Sequence, residues 1–112
     1  MALTKVQDEM LESPPIAASV AIAALNIDWS LGNLFYKDLS TSSTFTFSNL
    51  QDGKTISVAV RNTSGSDITI TLPSVIKSST FVNVVKASNK ETVFTFMRMN
   101  GKTYASSIGD MN

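Results

Sequence analysis

Cysteine and histidine are both missing from this 112-residue chain. Without cysteine there is no disulfide framework, no thiolate zinc site and no cysteine nucleophile. Without histidine the His-dependent triads and nearly all transition-metal sites go as well, so no cofactor and no metal is expected. Charge is scarce and balanced: nine basic and nine acidic residues cancel, and charged residues make up only 16% of the chain. No field of one sign therefore draws the surface toward nucleic acid or an anionic membrane. Lys5, Lys37, Lys54, Lys77, Lys86, Lys90 and Lys102 stand singly, as on a solvated surface rather than a nucleic-acid stripe. Long apolar runs are lacking too. Ile16 to Leu25 has ten residues against the ~20 needed to span a bilayer, so membrane insertion is not expected. It also follows acidic Asp8, Glu9 and Glu12, which makes it a poor secretory signal.

What the chain does have is alternation. Apolar residues make up 43% of it, enough for one folded domain with its own core. From Thr44 to Pro73, Phe45 and Phe47, then Ile56, Val58 and Val60, then Ile68, Ile70 and Leu72 alternate with polar or small residues. A period of two puts each apolar set on one face of a strand. Gln51-Asp52-Gly53-Lys54 and Thr63-Ser64-Gly65-Ser66-Asp67 separate the runs with turn formers. The simplest expectation is a three-stranded antiparallel meander whose greasy face the rest of the chain must cover.

At the N-terminus Leu3, Val6 and Met10 fall at helix-like spacing before Ser13-Pro14-Pro15 stops the run. So short a helix is marginal alone, and it is either a docking arm or a loose end. Residues 16–25 read as a buried helix or strand, or as a close inter-subunit contact. Trp29, the only tryptophan, anchors either the core or a subunit contact. A short strand ends near Leu39, and a candidate strand runs from Phe81 to Lys86. Glu91 to Met99 differs from the other strands because both its faces are apolar: Phe94 and Phe96 on one, Val93, Met97 and Met99 on the other. That surplus face needs a cover, either the N-terminal segment or a neighbouring subunit. Asn100-Gly101 is the preferred pair for a two-residue turn, with Lys102 to Ile108 returning as the last strand. Seven or eight short strands at this spacing predict an all-β antiparallel sandwich, jelly-roll or Greek-key-like, over residues 26–112 with an arm over residues 1–25.

The order of Ile27-Asp28-Trp29-Ser30, Gly32-Asn33, Thr44-Phe45-Thr46-Phe47-Ser48-Asn49, Gly53, Thr69-Ile70-Thr71-Leu72-Pro73, Phe94-Thr95-Phe96 and Asn100-Gly101-Lys102-Thr103-Tyr104 resembles a β-module of tailed-bacteriophage virion proteins, especially tail-fibre and appendage proteins. The likeness covers about residues 26 to 108. Ala2-Leu3-Thr4-Lys5-Val6 with Met10 resembles the opening of segments in phage tail fibres and tailspikes. The chain departs from the pattern in having Leu72 before the proline and Val75-Ile76 after it, where the family commonly has aromatics. The resemblance implies a structural virion component, a tail or head fibre, appendage or capsid decoration. It also implies a homotrimer that meets other virion proteins through its N-terminal arm. On this reading Val93, Met97, Met99 and Trp29 are candidates for the oligomer interface, and Leu3, Val6 and Met10 for virion docking.

Other readings of single residues are blander. Asp28, Asp38, Asp52 and Asp67 offer carboxylates for glycoside hydrolysis, but three of them sit in or beside expected turns, where Asp caps backbone donors. Asp52-Gly53 and Asp67 offer oxygens to calcium, but no stretch has the dense ligand spacing of a dedicated loop. Asn62-Thr63-Ser64 matches a glycosylation sequon. Trp29, Phe35, Tyr36 and Tyr104 are able to stack on sugars, which leaves a small carbohydrate-binding module, reading a surface glycan, as the alternative to a structural protein.

Overall fold

Where apolar and polar residues alternate without interruption the chain forms long strands, and where turn formers intrude it forms two- or three-residue ones. The computed structural model describes residues 19–111. In chain order the strands are β1 (Val20–Ala21), β2 (Asn26–Asp28), β3 (Leu34–Leu39), β4 (Ser43–Thr44), β5 (Thr46–Ser48) and β6 (Thr55–Asn62). They continue with β7 (Ile68–Thr71), β8 (Ile76–Lys77), β9 (Val84–Val85), β10 (Glu91–Met99) and β11 (Lys102–Met111). The described chain is all-β apart from one 3-10 turn at Trp29–Leu31, capped by Asp28, whose carboxylate accepts from the Ser30 N–H.

Six strands form one large mixed sheet in the order β1-β3-β6-β10-β11-β8; β2-β5 and β4-β7-β9 form two small sheets. The inner face of the large sheet carries Phe35, Ile56, Val58, Val60, Phe94, Phe96 and Ala105, all buried. Against it lie Ile27, Ile68, Ile70 and Val85 from the small sheets, with Phe45 and Trp29. Phe47 of β5 meets Phe96 of β10 edge to face at 5.1 Å, and Trp29 meets Phe47 at 5.6 Å. Of the two roles open to Trp29 it takes the core: it is 0% exposed and offers no surface to a second subunit. Its size is why, since an indole gains most where rings surround it.

The expected meander does not form. Its three runs go to three different sheets: β5 pairs with β2, β6 with β3 and β10, and β7 with β4 and β9. Alternation specifies a buried face but not a neighbour, so β6 and β7 both bury their apolar sets while belonging to different sheets instead of lying side by side. The switch happens at single residues. The Phe45 N–H donates to Thr71 O at 2.9 Å, while the next N–H, of Thr46, donates to Leu25 O at 2.9 Å, so the chain leaves one small sheet and enters the other in one step. Five of the eight pairings run parallel, among them β3 with β6, against the antiparallel arrangement expected. Direction, like neighbour, is invisible to a period of two.

Asn62 closes the end of β6. Its amide donates to Ser66 O at 2.7 Å and Val85 O at 2.9 Å, and its oxygen accepts from the Ser64 N–H at 2.9 Å and hydroxyl at 2.7 Å. Buried at 0% exposure and fully engaged, this side chain is not presented for glycosylation. At the other end of the domain, β1 lies at the edge of the large sheet and Ile22 joins the core, so residues 19–25, assigned to the arm from sequence, are built into the folded body.

Candidate functional site

Register fixes what the outer face of the large sheet displays. Tyr36 lies opposite Ala59, Ala59 opposite Val93, and Val93 opposite Ile108. The next row is Leu34, Ser57, Thr95 and Ser106, and the one after it Thr55, Met97, Tyr104 and Ile76. None of these three rows carries a charge. Charges sit at the ends: Asp38, Arg61 and Glu91 form one terminal row, with Arg61 and Glu91 3.9 Å apart, and Lys102 lies opposite Met99 at the other.

Val93, Met97 and Met99 do share this outer face, as the two-sided pattern of Glu91 to Met99 predicts. Val93 is half-buried by its neighbours, whereas Met97 is 41% and Met99 46% exposed. They have company that the sequence reading missed. Leu34, Tyr36, Ile76, Ile108 and Met111 are exposed on the same face, Ile108 at 65%. Seven of the ten large apolar side chains exposed among the described residues therefore stand on one side of one sheet. The signal was present as a second phase: Leu34 and Tyr36, then Tyr104, Ser106 and Ile108, alternate out of step with the buried Phe35, Thr103 and Ala105. Monomeric proteins seldom gather so many exposed large apolar side chains on one face. A shallow groove of 270 Å³ runs across it, lined by Ile76, Thr95, Met97, Tyr104 and Ser106.

Leu3, Val6 and Met10, the candidate docking residues, lie outside the described residues. Of the four candidate carboxylates, Asp28, Asp52 and Asp67 hold turns and loops and Asp38 lies in β3. Asp28 accepts from the Ser30 hydroxyl at 2.6 Å, from the Ser30 N–H at 2.9 Å and from the Asn49 amide at 2.9 Å, and these bonds, the Ser30 hydroxyl first, hold its carboxyl below its ordinary value of 3.8. Asp67 accepts from the Ala87 N–H at 3.0 Å and from the Lys86 ammonium at 3.3 Å, and is lowered for those reasons in that order. Asp52 binds Arg98 Nε at 3.1 Å and the Gly101 N–H at 3.2 Å, tying the loop before β6 to the β10–β11 turn. Asp38 stands exposed in the charged end row. Among the described residues no three Asp or Glu side chains gather as a metal site would need, and no helix is long and apolar enough to cross a membrane.

The arrangement thus offers an apolar surface with a charged border rather than a reactive cluster. No family model, no curated protein and no solved structure matches this chain, so its role has to be argued from that surface.

Proposed function

We propose that this chain is a non-enzymatic structural protein whose work is association. The observation that carries the proposal is the uncharged apolar band on the outer face of the large sheet, displayed by a domain whose inner core is already filled. A domain that has buried fourteen apolar side chains among the described residues gains nothing for its own core from a second greasy face; the gain comes when another surface covers it. We read the domain as a sandwich, with the large sheet packed on the two small ones through Phe96 and Phe47. Its mixed strand directions set it apart from an all-antiparallel jelly roll or Greek key.

The setting follows from the resemblance of residues 26 to 108 to virion β-modules. On that reading the chain is part of a tailed-phage particle, a fibre, appendage or capsid decoration. It would meet copies of itself, three by analogy, and reach other virion proteins through Leu3, Val6 and Met10. Light scattering on the purified chain tests the association, and a single-chain mass of 12.1 kDa at tens of micromolar would overturn it. Deleting residues 1–13 and finding the protein still on particles would remove the docking role.

One observation favours a second reading. Tyr36 and Tyr104 present rings on the same outer face, Tyr104 in the groove, as a glycan platform would. Alanine at both positions separates the two readings: loss of glycan binding with unchanged mass supports the carbohydrate module.

A further inference from the structure

We propose that the outer face of the large sheet is a self-complementary interface, on which a second copy of this chain seats the same face, sheet against sheet. The inference rests on the reading of the chain as self-associating and supplies the surface and the number of copies.

Area is the first argument. The strands β1, β3, β6, β10, β11 and β8 have 2, 6, 8, 9, 10 and 2 residues, which at ~4.8 Å between strands and ~3.3 Å per residue present roughly 600 Å² per copy. A pair would bury about 1,200 Å², past the ~1,000 Å² that a specific interface needs.

Relief is the second. In the middle of the face β6 carries the small Thr55, Ser57 and Ala59 and its neighbour β10 the larger Val93, Met97 and Met99, while Leu34 and Tyr36 stand on the β3 side and Tyr104 and Ile108 on the β11 side. A two-fold axis along the strands sets the β3 flank of one copy opposite the β11 flank of the other. The same axis sets the low β6 strip of each copy against Val93, Met97 and Met99 of the other, a fit of small against large at the ~10 Å spacing of packed sheets. The hydroxyls of Ser57 and Thr95 lie 3.5 Å apart and face each other within their own sheet, so covering them strands little polarity.

Charge is the third. The border carries both signs, Asp38 and Glu91 with Arg61 and Lys102, on a chain with net charge zero. A copy therefore meets its like without repulsion, in the usual pattern of apolar centre and polar rim. A contact between identical patches closes at two copies, whereas three around an axis need two different patches.

The full chain at tens of micromolar is expected to scatter light as twice 12.1 kDa. Thr95→Arg, at the centre of the face, is expected to scatter as a single chain with an unchanged circular dichroism spectrum, and Leu50→Asp, exposed elsewhere, to remain paired. Because the chain has no cysteine, Ser106→Cys supplies a unique probe that scarcely perturbs the fold. Its labelling by a thiol reagent should slow more than tenfold from nanomolar to high micromolar protein. A pair that survives Thr95→Arg, or a thiol equally reactive at every concentration, overturns this interface but leaves self-association standing. A threefold mass overturns the two-copy contact, and a wild-type single chain overturns both proposals.

Discussion

At the scale of single residues, the side chains that matter most are those holding the two layers together. Asn62 makes four hydrogen bonds spanning β6, the following loop and β9. Asn62→Ala leaves Val85 O and Ser66 O without their donor in a buried place, and is expected to cost about 3 kcal/mol in urea unfolding, the sum of more than one unsatisfied group. Trp29→Ala, which removes the largest fully buried side chain, should cost about 3–5 kcal/mol. Asp28 and Asp67 give the domain its acid sensitivity. Their folded pKa values are depressed, so the stability they contribute is complete above the ordinary value of 3.8 and is lost as pH falls through the lowered folded values. Thermal melts below pH 4 should therefore fall steeply for the wild type and less steeply for Asp28→Asn, which starts lower at neutral pH. Parallel slopes would contradict the assignment. The sequence placed Asp67 in a turn cluster, Thr63-Ser64-Gly65-Ser66-Asp67, where a carboxylate caps backbone donors. It could not announce Asn62, whose partners lie 4 and 23 residues away and meet only once the sheets close.

Among elements, the β10–β11 hairpin is the one long-strand pairing joined by a tight turn. Asn100 at φ 54° and Gly101 at φ 72° form its two-residue turn in the left-handed region. Space around Gly101 is open, so Gly101→Ala meets only the backbone cost of about 1–2 kcal/mol. If the hairpin forms early, that cost falls on the folding rate, and stopped-flow refolding should slow roughly fivefold or more with little change in unfolding. This hairpin, β3 and the two-faced β10 were legible in sequence because turn chemistry and strict alternation are local. The candidate strand at Phe81 to Lys86 shrinks to β9, Val84–Val85, held by the Thr92 hydroxyl on Val84 O at 3.0 Å and by pairing with β7. What stayed hidden was which runs pair: the meander, the antiparallel order and the extension of β11 to Met111 all depended on partners distant in sequence. The outer face was half legible, its β10 portion from alternation and its β3 and β11 portions only from register.

For the whole molecule, an association through an uncharged face makes specific demands. The melting temperature should rise with protein concentration over a hundredfold range, because only the folded chain presents the face. It should also change little between low and high salt, since the charges sit at the border. Trp29, wholly enclosed by its own chain, should report unfolding but stay silent when copies separate, so fluorescence and scattering ought to give transitions at different dilutions. The order of strands in the large sheet has one more consequence. β6, which ties β3 to the rest, needs β10 on its other side, and β10 brings Phe94 and Phe96, the floor of the core. A ribosome delivers that floor only after β1, β3, β6 and β8 have all been made. The nascent polypeptide must therefore wait, holding Phe35, Phe45 and Ile56 open to capture by a chaperone, until the closing hairpin clears the exit tunnel.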